Sequence, residues 1–451
     1  GRQIPKIKFF LIFSLEKPSK AMNFTTGTAP VTAVVSGQQN QDKTGDGNAC
    51  SQKRKQWQDS HIFIIHLMRN LRPDGWQTAE NTERRKAVKE WKESEVKKML
   101  EGIRPLDQAA MSQAKKRWSQ VAKPLNSLGI LEEDIIRIAG IQESHNVDFG
   151  KKGLLILCGD NGIVEEGVTQ TGQEVTGIVT ENMTRGDSCV CLMAKKAGVN
   201  VFPVDVGTTG DLVSGSTYPL INRKIARGTR NFLRQPAMTR EQVFQAIGIG
   251  IDLAGDLKAK GYGLLATGEM GIGNTTTSSA VCSLLLNLPV HQVTGRGAGL
   301  SDQGLARKIQ VIEQAVEKYG HSCRDGGDVL SSVGGFDLAA MAGVFLGGAI
   351  WRIPVLVDGF ISAVAALAAK SLCPLAPEYM VASHVSSEPA GLLTLNALGL
   401  KPLIQAGMCL GEGTGAVAAV PLLEMALEVY RSMSTFDEIQ VEPYEELGGE
   451  K

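Results

Sequence analysis

The stretch LLATGEMGIGNTT (264–276) runs an apolar segment into a Gly-rich turn with a single carboxylate and then into residues that open a helix. The same pattern recurs in LLILCGDNG (154–162), VFPVDVGTTG (201–210), VLSSVGGFD (329–337), PVLVDGF (354–360), YMVASHVSSEP (379–389) and MCLGEGTG (408–415). Short, near-continuously apolar runs bounded by turn residues fit parallel strands covered on both faces. Strands are expected at 154–158, 201–206, 263–266, 329–332, 354–357 and 379–383, and helices over 274–286, 336–350, 360–370, 388–398 and 414–432. Thr239 with Gln242 adds a capping box ahead of Val243, Ala246, Ile247, Ala254 and Leu257. Alternation of this kind predicts an α/β fold with a doubly wound, mostly parallel sheet. Ligands of such sheets bind at the carboxyl ends of strands, where all seven turns are expected to lie.

Acids and bases balance at 47 each over 451 residues, so net charge favours neither nucleic acid nor an anionic membrane as partner, and a small substrate is expected. The 51 glycines follow no Gly-X-Y period and read as backbone-permissive loop positions. Eight cysteines are dispersed, without a CxxC and with only Cys189 and Cys191 close together, which predicts buried thiols in a reducing compartment and no metal site. No apolar run reaches bilayer-spanning length. The cytoplasm is the expected location, with organellar targeting by the N-terminal extension as the alternative.

The chain begins with Gly, and its first residues carry bases and a Phe-rich patch, which suits either a targeting remnant or a gene start at Met22. Residues 25–60 are rich in Gln, Asn, Ser, Thr and Gly and are expected to be disordered. From Asn81 the pattern turns helical, with Val88, Lys92, Val96 and Met99 on one side. A second helix carries Leu106, Ala110, Ala114, Trp118 and Val121, and a third Leu131, Ile135, Ile138 and Ala139. The expected domains are an extension (1–80), a helical part (81–148), the α/β body (149–405), a Glu-bearing loop with its helix (406–435) and a tail (436–451).

In GEMGIGNTT, Gly268, Gly271 and Gly273 expose backbone amides at a helix N-terminus, a favourable place for an anion such as phosphate. The spacing is neither the dinucleotide fingerprint nor a P-loop. Glu269 has no obvious packing duty there. Glu412 lies between Gly411 and Gly413, ahead of a helix whose N-cap is expected to be Thr414. Glu412 either offsets the helix dipole or, half-desolvated, serves as a general base, and the flanking glycines suggest close approach to a ligand. Lys308 is either solvated surface or a phosphate clamp. Ser386 either caps a helix or meets a ligand. His384 reads as a structural histidine. No Ser/His/Asp or Cys/His signature supports nucleophilic hydrolysis. On these residues alone the chain is an α/β enzyme for a small phosphorylated ligand, with one or two carboxylates for acid/base work.

The motifs IRPLDQAAMSQAKKRWSQVAKPLNSLG (103–129), EEGVTQTGQEVT (165–176), ATGEMGIGNTT (266–276), VTGRGAG (293–299), LARK (305–308), VDGFIS (357–362), ASHVSSEPAG (382–391) and LGEGTGA (410–416) occur in the order seen in one family. Over residues 103–432 the chain resembles the nicotinate-nucleotide:dimethylbenzimidazole phosphoribosyltransferases, which make the lower-ligand nucleotide of cobalamin. The resemblance implies a Rossmann-like large domain, a small helical domain built from both chain ends, a homodimer and no cofactor. It implies transfer of the 5-phosphoribosyl group from nicotinate mononucleotide to 5,6-dimethylbenzimidazole, giving α-ribazole 5′-phosphate and nicotinate. Position by position, Glu412 resembles the family's general base and Glu269 its helper near the ribose. Gly271, Gly273, Asn274, Gly297 and Lys308 resemble the phosphate and ribose cradle, with Ser386 a further substrate contact.

The segment associated with the aromatic base, where Asp160, Thr169 and Gln173 are expected to contribute, departs from the family. Asp160-Asn161-Gly162 replaces Asp-His-Gly, Gly172 replaces a Pro, and TRGDSCV (184–190) replaces a Gly-Gly-Ala-Ala-type helix. These departures leave open a different acceptor base, or a non-catalytic nucleotide or ribazole binder. A phosphoribosyl-pyrophosphate enzyme is a further rival, but VLVDGFIS supplies Asp358 without the second acid of that motif.

Overall fold

The computed structural model describes residues 89–444 and the backbone of two short strands, Phe24–Thr26 and Ala29–Val31, which pair antiparallel. All but Phe24 of these two strands lie in the stretch, 25–60, expected to be disordered. The rest of the N-terminal expectations, Val88 included, lie outside the described residues. Of the helix expected from Asn81, the described part is non-helical over 89–92 and helical as α1 (Glu93–Leu100).

Six strands form one all-parallel sheet: β1 (Lys151–Gly159), β2 (Val199–Gly207), β3 (Ile221–Asn222), β4 (Tyr262–Met270), β5 (Val355–Val357) and β6 (Met380–Ala382). Their spatial order is 3-2-1-4-5-6, the Rossmann order, with the topological switch between β1 and β4. Successive side chains of a strand point to opposite faces, so an all-apolar strand can feed two cores. Leu155 and Leu157 of β1 enter one core, whereas Leu154, Ile156 and Cys158 enter the other. The alternation repeats in β5, where Val355 and Val357 face one side and Leu356 the other.

The larger core is closed by α6 (Arg240–Ala259), α7 (Asn274–Leu286), the four-residue α8 (Val290–Val293), α9 (Asp302–Tyr319), α10 (Gly326–Val333), α11 (Phe336–Trp351), α12 (Phe360–Leu372) and α13 (Gly391–Leu398). Helix α6 opens on the expected capping box: the Thr239 hydroxyl accepts the Gln242 N–H at 3.2 Å and the Gln242 amide accepts the Thr239 N–H at 2.9 Å. The opposite core is closed by α2 (Gln108–Gln120), α3 (Ile130–Gln142), α5 (Cys189–Ala197) and α14 (Thr414–Ser432), while α4 (Glu174–Arg185) contributes Met183. Trp118 of α2 meets Tyr430 of α14 with ring centroids 5.1 Å apart, joining the two ends of the described chain. Among the described residues no helix is long and apolar enough to cross a membrane.

Two of the seven turns do not follow a strand. Residues 329–332, expected as a strand, belong to helix α10, whose N-cap Asp325 accepts the Asp328 N–H at 2.8 Å. Val329, Leu330 and Val333 fill its core side, a spacing that four residues read in isolation cannot separate from a strand. Residues 408–413 are irregular and lead directly into α14. The other five turns do lie at strand ends.

Helices α6 and α11 cross at backbone contact. A Cβ on Gly343 would lie 2.1 Å from the Ile247 carbonyl oxygen, and one on Gly250 2.1 Å from that of Ala340. Neither neighbour is a side chain that can swing away. Gly343→Ala is therefore expected to force the helices apart and to lower stability by about 1–3 kcal/mol, read as an earlier midpoint in urea unfolding.

Candidate active site

A cleft of about 230 Å³ opens over the carboxyl ends of β4, β5 and β6. Its walls bring together Glu269, Gly271, Asn274, Thr275, Gly297, Asp358, Ser386, Glu388, Gly411 and Glu412. Parallel strands deliver all their carboxyl ends to one edge, so turns more than 140 residues apart in sequence meet there.

Glu269, the penultimate residue of β4, is only 7% exposed. Its carboxylate takes a short hydrogen bond from the Asn274 amide, which also reaches Asp337 Oδ2 at 3.3 Å. Asp337 is fully buried at the start of α11. Burial first, and then the negative Asp337, lift the Glu269 carboxyl to about 8. Burial likewise lifts Asp337 to about 7. Asn274 thus bridges two acids that burial keeps from ionising freely.

Glu412 sits in a run of three left-handed residues, with φ of 85°, 61° and 92° at Gly411, Glu412 and Gly413. The flanking glycines serve this conformation and its packing: a Cβ on Gly413 would lie 2.5 Å from Leu154 Cδ1, and one on Gly411, which also lines the cleft, 2.4 Å from Glu269 Oε1. Opposite, a Cβ on Gly268 would lie 2.3 Å from the Glu412 carbonyl oxygen. A non-glycine residue held left-handed stores local strain, which persists where the surroundings over-determine it. The Glu412 Oε2 atom is buried without a hydrogen-bond partner. Burial is the main force raising its carboxyl above the usual range; the Asp358 charge adds to it, and the Val190 N–H in the first turn of α5 opposes it.

The N-cap of α14 is Gly413, not Thr414. The Thr414 hydroxyl turns back to the Gly411 carbonyl at 2.9 Å. The exposed helix donors are met by Asp358, at the end of β5, which accepts the Gly413 N–H at 3.2 Å and the Ala416 N–H at 2.8 Å. Burial raises the Asp358 carboxyl to about 6 despite the pull of four nearby backbone N–H groups.

Lys308 is not solvated surface. It is 1% exposed on α9, and its Nζ donates to Thr275 Oγ1 at 2.9 Å and to the Gly295 carbonyl at 3.1 Å. Burial lowers its ammonium to about 8. It stands behind Thr275, which together with Gly297 lines the cleft. Gly273, with φ of 92°, is the N-cap of α7 and sets that helix's entry. Ser386 lines the wall, and its Oγ accepts the Glu388 N–H at 3.3 Å.

Asp160, Thr169 and Gln173 lie elsewhere. Asp160 is buried after β1 and accepts the Thr209 N–H at 2.7 Å. The Thr169 hydroxyl donates to the Thr171 carbonyl, and the Gln173 amide to that of Asn161 at 3.1 Å. None of the three lines the cleft. Conversely, Asp337, Thr275 and Glu388 drew no role from the sequence. Asp337 closes the VLSSVGGFD turn, but its meaning depended on the helix misread as a strand.

A family model described as phosphoribosyltransferase matches residues 103–441. The nicotinate-nucleotide:dimethylbenzimidazole phosphoribosyltransferase of Clostridium acetobutylicum is 41% identical over 352 residues, spanning 78% of this chain and 99% of that protein. This chain belongs to that family. The family's member from Chloroflexus aggregans is 45% identical over 340 residues, spanning 75% of this chain and 96% of its own length. The crystal structure of CobT from Thermus thermophilus superimposes with a TM-score of 0.71 at 38% identity, covering 74% of this chain and 99% of that one. Of the segment expected to hold the aromatic base, Asn161 supports the cleft from behind by accepting the Thr277 hydroxyl at 2.8 Å, and the Val190 N–H favours the charged form of Glu412.

The raised carboxyls fix the sign of a pH effect. A buried acid whose folded pKa lies above its ordinary value stabilises the fold fully below that ordinary value, and loses the contribution as pH rises through the folded one. With Asp358 near 6, Asp337 near 7 and Glu269 near 8, the melting temperature is expected to fall between pH 5 and 9. Glu269→Gln, which cannot ionise, should flatten that slope in scanning fluorimetry; an unchanged slope would contradict the assignment.

Proposed function

We propose that this protein transfers the 5-phosphoribosyl group of nicotinate mononucleotide to 5,6-dimethylbenzimidazole, releasing nicotinate and forming α-ribazole 5′-phosphate for the nucleotide loop of cobalamin. The family relationship supports the reaction. The observation that carries the catalytic assignment is the Glu412 carboxyl, with a buried and unpartnered oxygen on the wall of the cleft.

In this reaction the bond from C1′ to the nicotinate nitrogen breaks, and both electrons stay with the ring. The positive pyridinium thereby becomes a neutral ring, so the leaving group brings its own activation. One benzimidazole nitrogen forms the new bond to C1′, and the proton on the other passes to Glu412. A carboxylate raised by partial burial suits that proton transfer. Glu269 and Asp337 lie at the ribose end, where positive charge develops on C1′. Lys308 and Thr275, with Gly271, Gly297 and the start of α7, form the phosphate end. Ser386 is assigned a further substrate contact, and Asp160, Thr169 and Gln173, which lie outside the cleft lining, keep the base-binding part that the family resemblance implies. The helices of 81–148 together with 406–435 are taken as the small domain, on the strength of the Trp118–Tyr430 contact. A homodimer and a cytoplasmic location belong to the same proposal; sedimentation at micromolar concentration should show two copies.

Purified protein should release nicotinate from nicotinate mononucleotide when dimethylbenzimidazole is supplied. Glu412→Gln should lower kcat by about 10²- to 10⁴-fold while calorimetry still shows nucleotide binding. Nucleotide binding with no nicotinate release, across benzimidazole and purine acceptors, would instead make the protein a binder.

A further inference from the structure

We propose that Asp358 is the positioning residue for Glu412, anchoring the strained 411–413 loop through its backbone and so fixing where the Glu412 carboxylate enters the cleft. The inference rests on the reaction proposed above. Asp358 is 3% exposed, and both its oxygens are spent on the Gly413 and Ala416 N–H groups, one and four residues beyond Glu412. A helix N-terminus is ordinarily capped by the side chain of its own N-cap residue. Gly413 has none, and the Thr414 hydroxyl is committed to Gly411. The cap is instead brought in from the end of β5, so the loop's place is set by the sheet and not by the helix it begins. That arrangement supplies the over-determination that a left-handed glutamate needs.

Asp358 also acts through its charge. Glu412 is faced by Asp358 and Glu269 from the strand ends, and by the Val190 N–H and Cys191 from α5; His384 Nδ1 lies 3.9 Å from Asp358. Among these, the ionised Asp358 opposes a second negative charge on Glu412, and the Val190 N–H favours it. Neutralising Asp358 therefore leaves Glu412 a weaker base. A residue that merely capped α14 would change stability and leave this untouched.

The test compares Asp358→Asn and Asp358→Ser with wild type, both neutral and both keeping an acceptor oxygen. Steady-state kinetics would be combined with a carbon-13 titration of the Glu412 carboxyl, its signal assigned by its loss in Glu412→Gln. A fall in kcat of about 10- to 100-fold is expected. KM for nicotinate mononucleotide should change by less than about threefold, and the Glu412 titration should move to lower pH. An unchanged kcat, an unmoved titration, or failure of both variants to fold would overturn the proposal, the last by making Asp358 a structural cap. If wild type releases no nicotinate, the reaction itself is overturned, and the carboxyl titration alone decides the role of Asp358.

Discussion

The parallel pairing of β1 with β4 is the constraint on which the rest depends. Leu154 stands beside Ala266 and Leu157 beside Glu269, so the buried middle of the sheet sets how far each strand end projects. Because the residues of β1 feed two cores in alternation, a slip by one position would exchange the two sets of side chains and misplace both. The register is consequently stiff, and Glu269 inherits that stiffness. The turn after it, the loop before α14 and the end of β5 are all referred to the same edge.

The cleft divides its charge. At one end a buried ammonium, a hydroxyl and a helix N-terminus favour an anion; at the other, Glu269, Asp358 and Glu412 gather with Asp337 behind them, and among the described residues the imidazole of His384, 3.9 Å from Asp358, is held toward its neutral form by burial. Four carboxyls cannot all ionise in a half-closed space, and burial decides which hold their protons. A nucleotide carrying a phosphate at one end and a positive pyridinium at the other matches that polarity.

Much of this was legible from the residues. Strands at 154–158, 201–206, 263–266, 354–357 and 379–383 were marked by their apolar density, and α7 and α14 lie where their Gly-rich approaches and Ala-rich bodies placed them. Glu269 and Glu412 stood out because a lone carboxylate among glycines has no packing use. What escaped were relations between distant turns. Asp358 gave no sign that its partners would be N–H groups 55 and 58 residues downstream. Lys308 read equally as surface or as a phosphate clamp, because burial of an ammonium is a tertiary outcome. The 329–332 run was misjudged since four apolar residues carry no period of their own.

Helix α14 has a further consequence. Its 19 residues span about 28 Å, with the Glu412 loop at one end and, at the other, Tyr430 tilted against Trp118 and donating to the His145 carbonyl at 2.8 Å. The seating of the terminal helices and the loop of the proposed base are thus joined through a single element, with Pro421 as its one interruption of the backbone ladder. Substitutions around Trp118 therefore reach, through that helix, the loop that carries the proposed base.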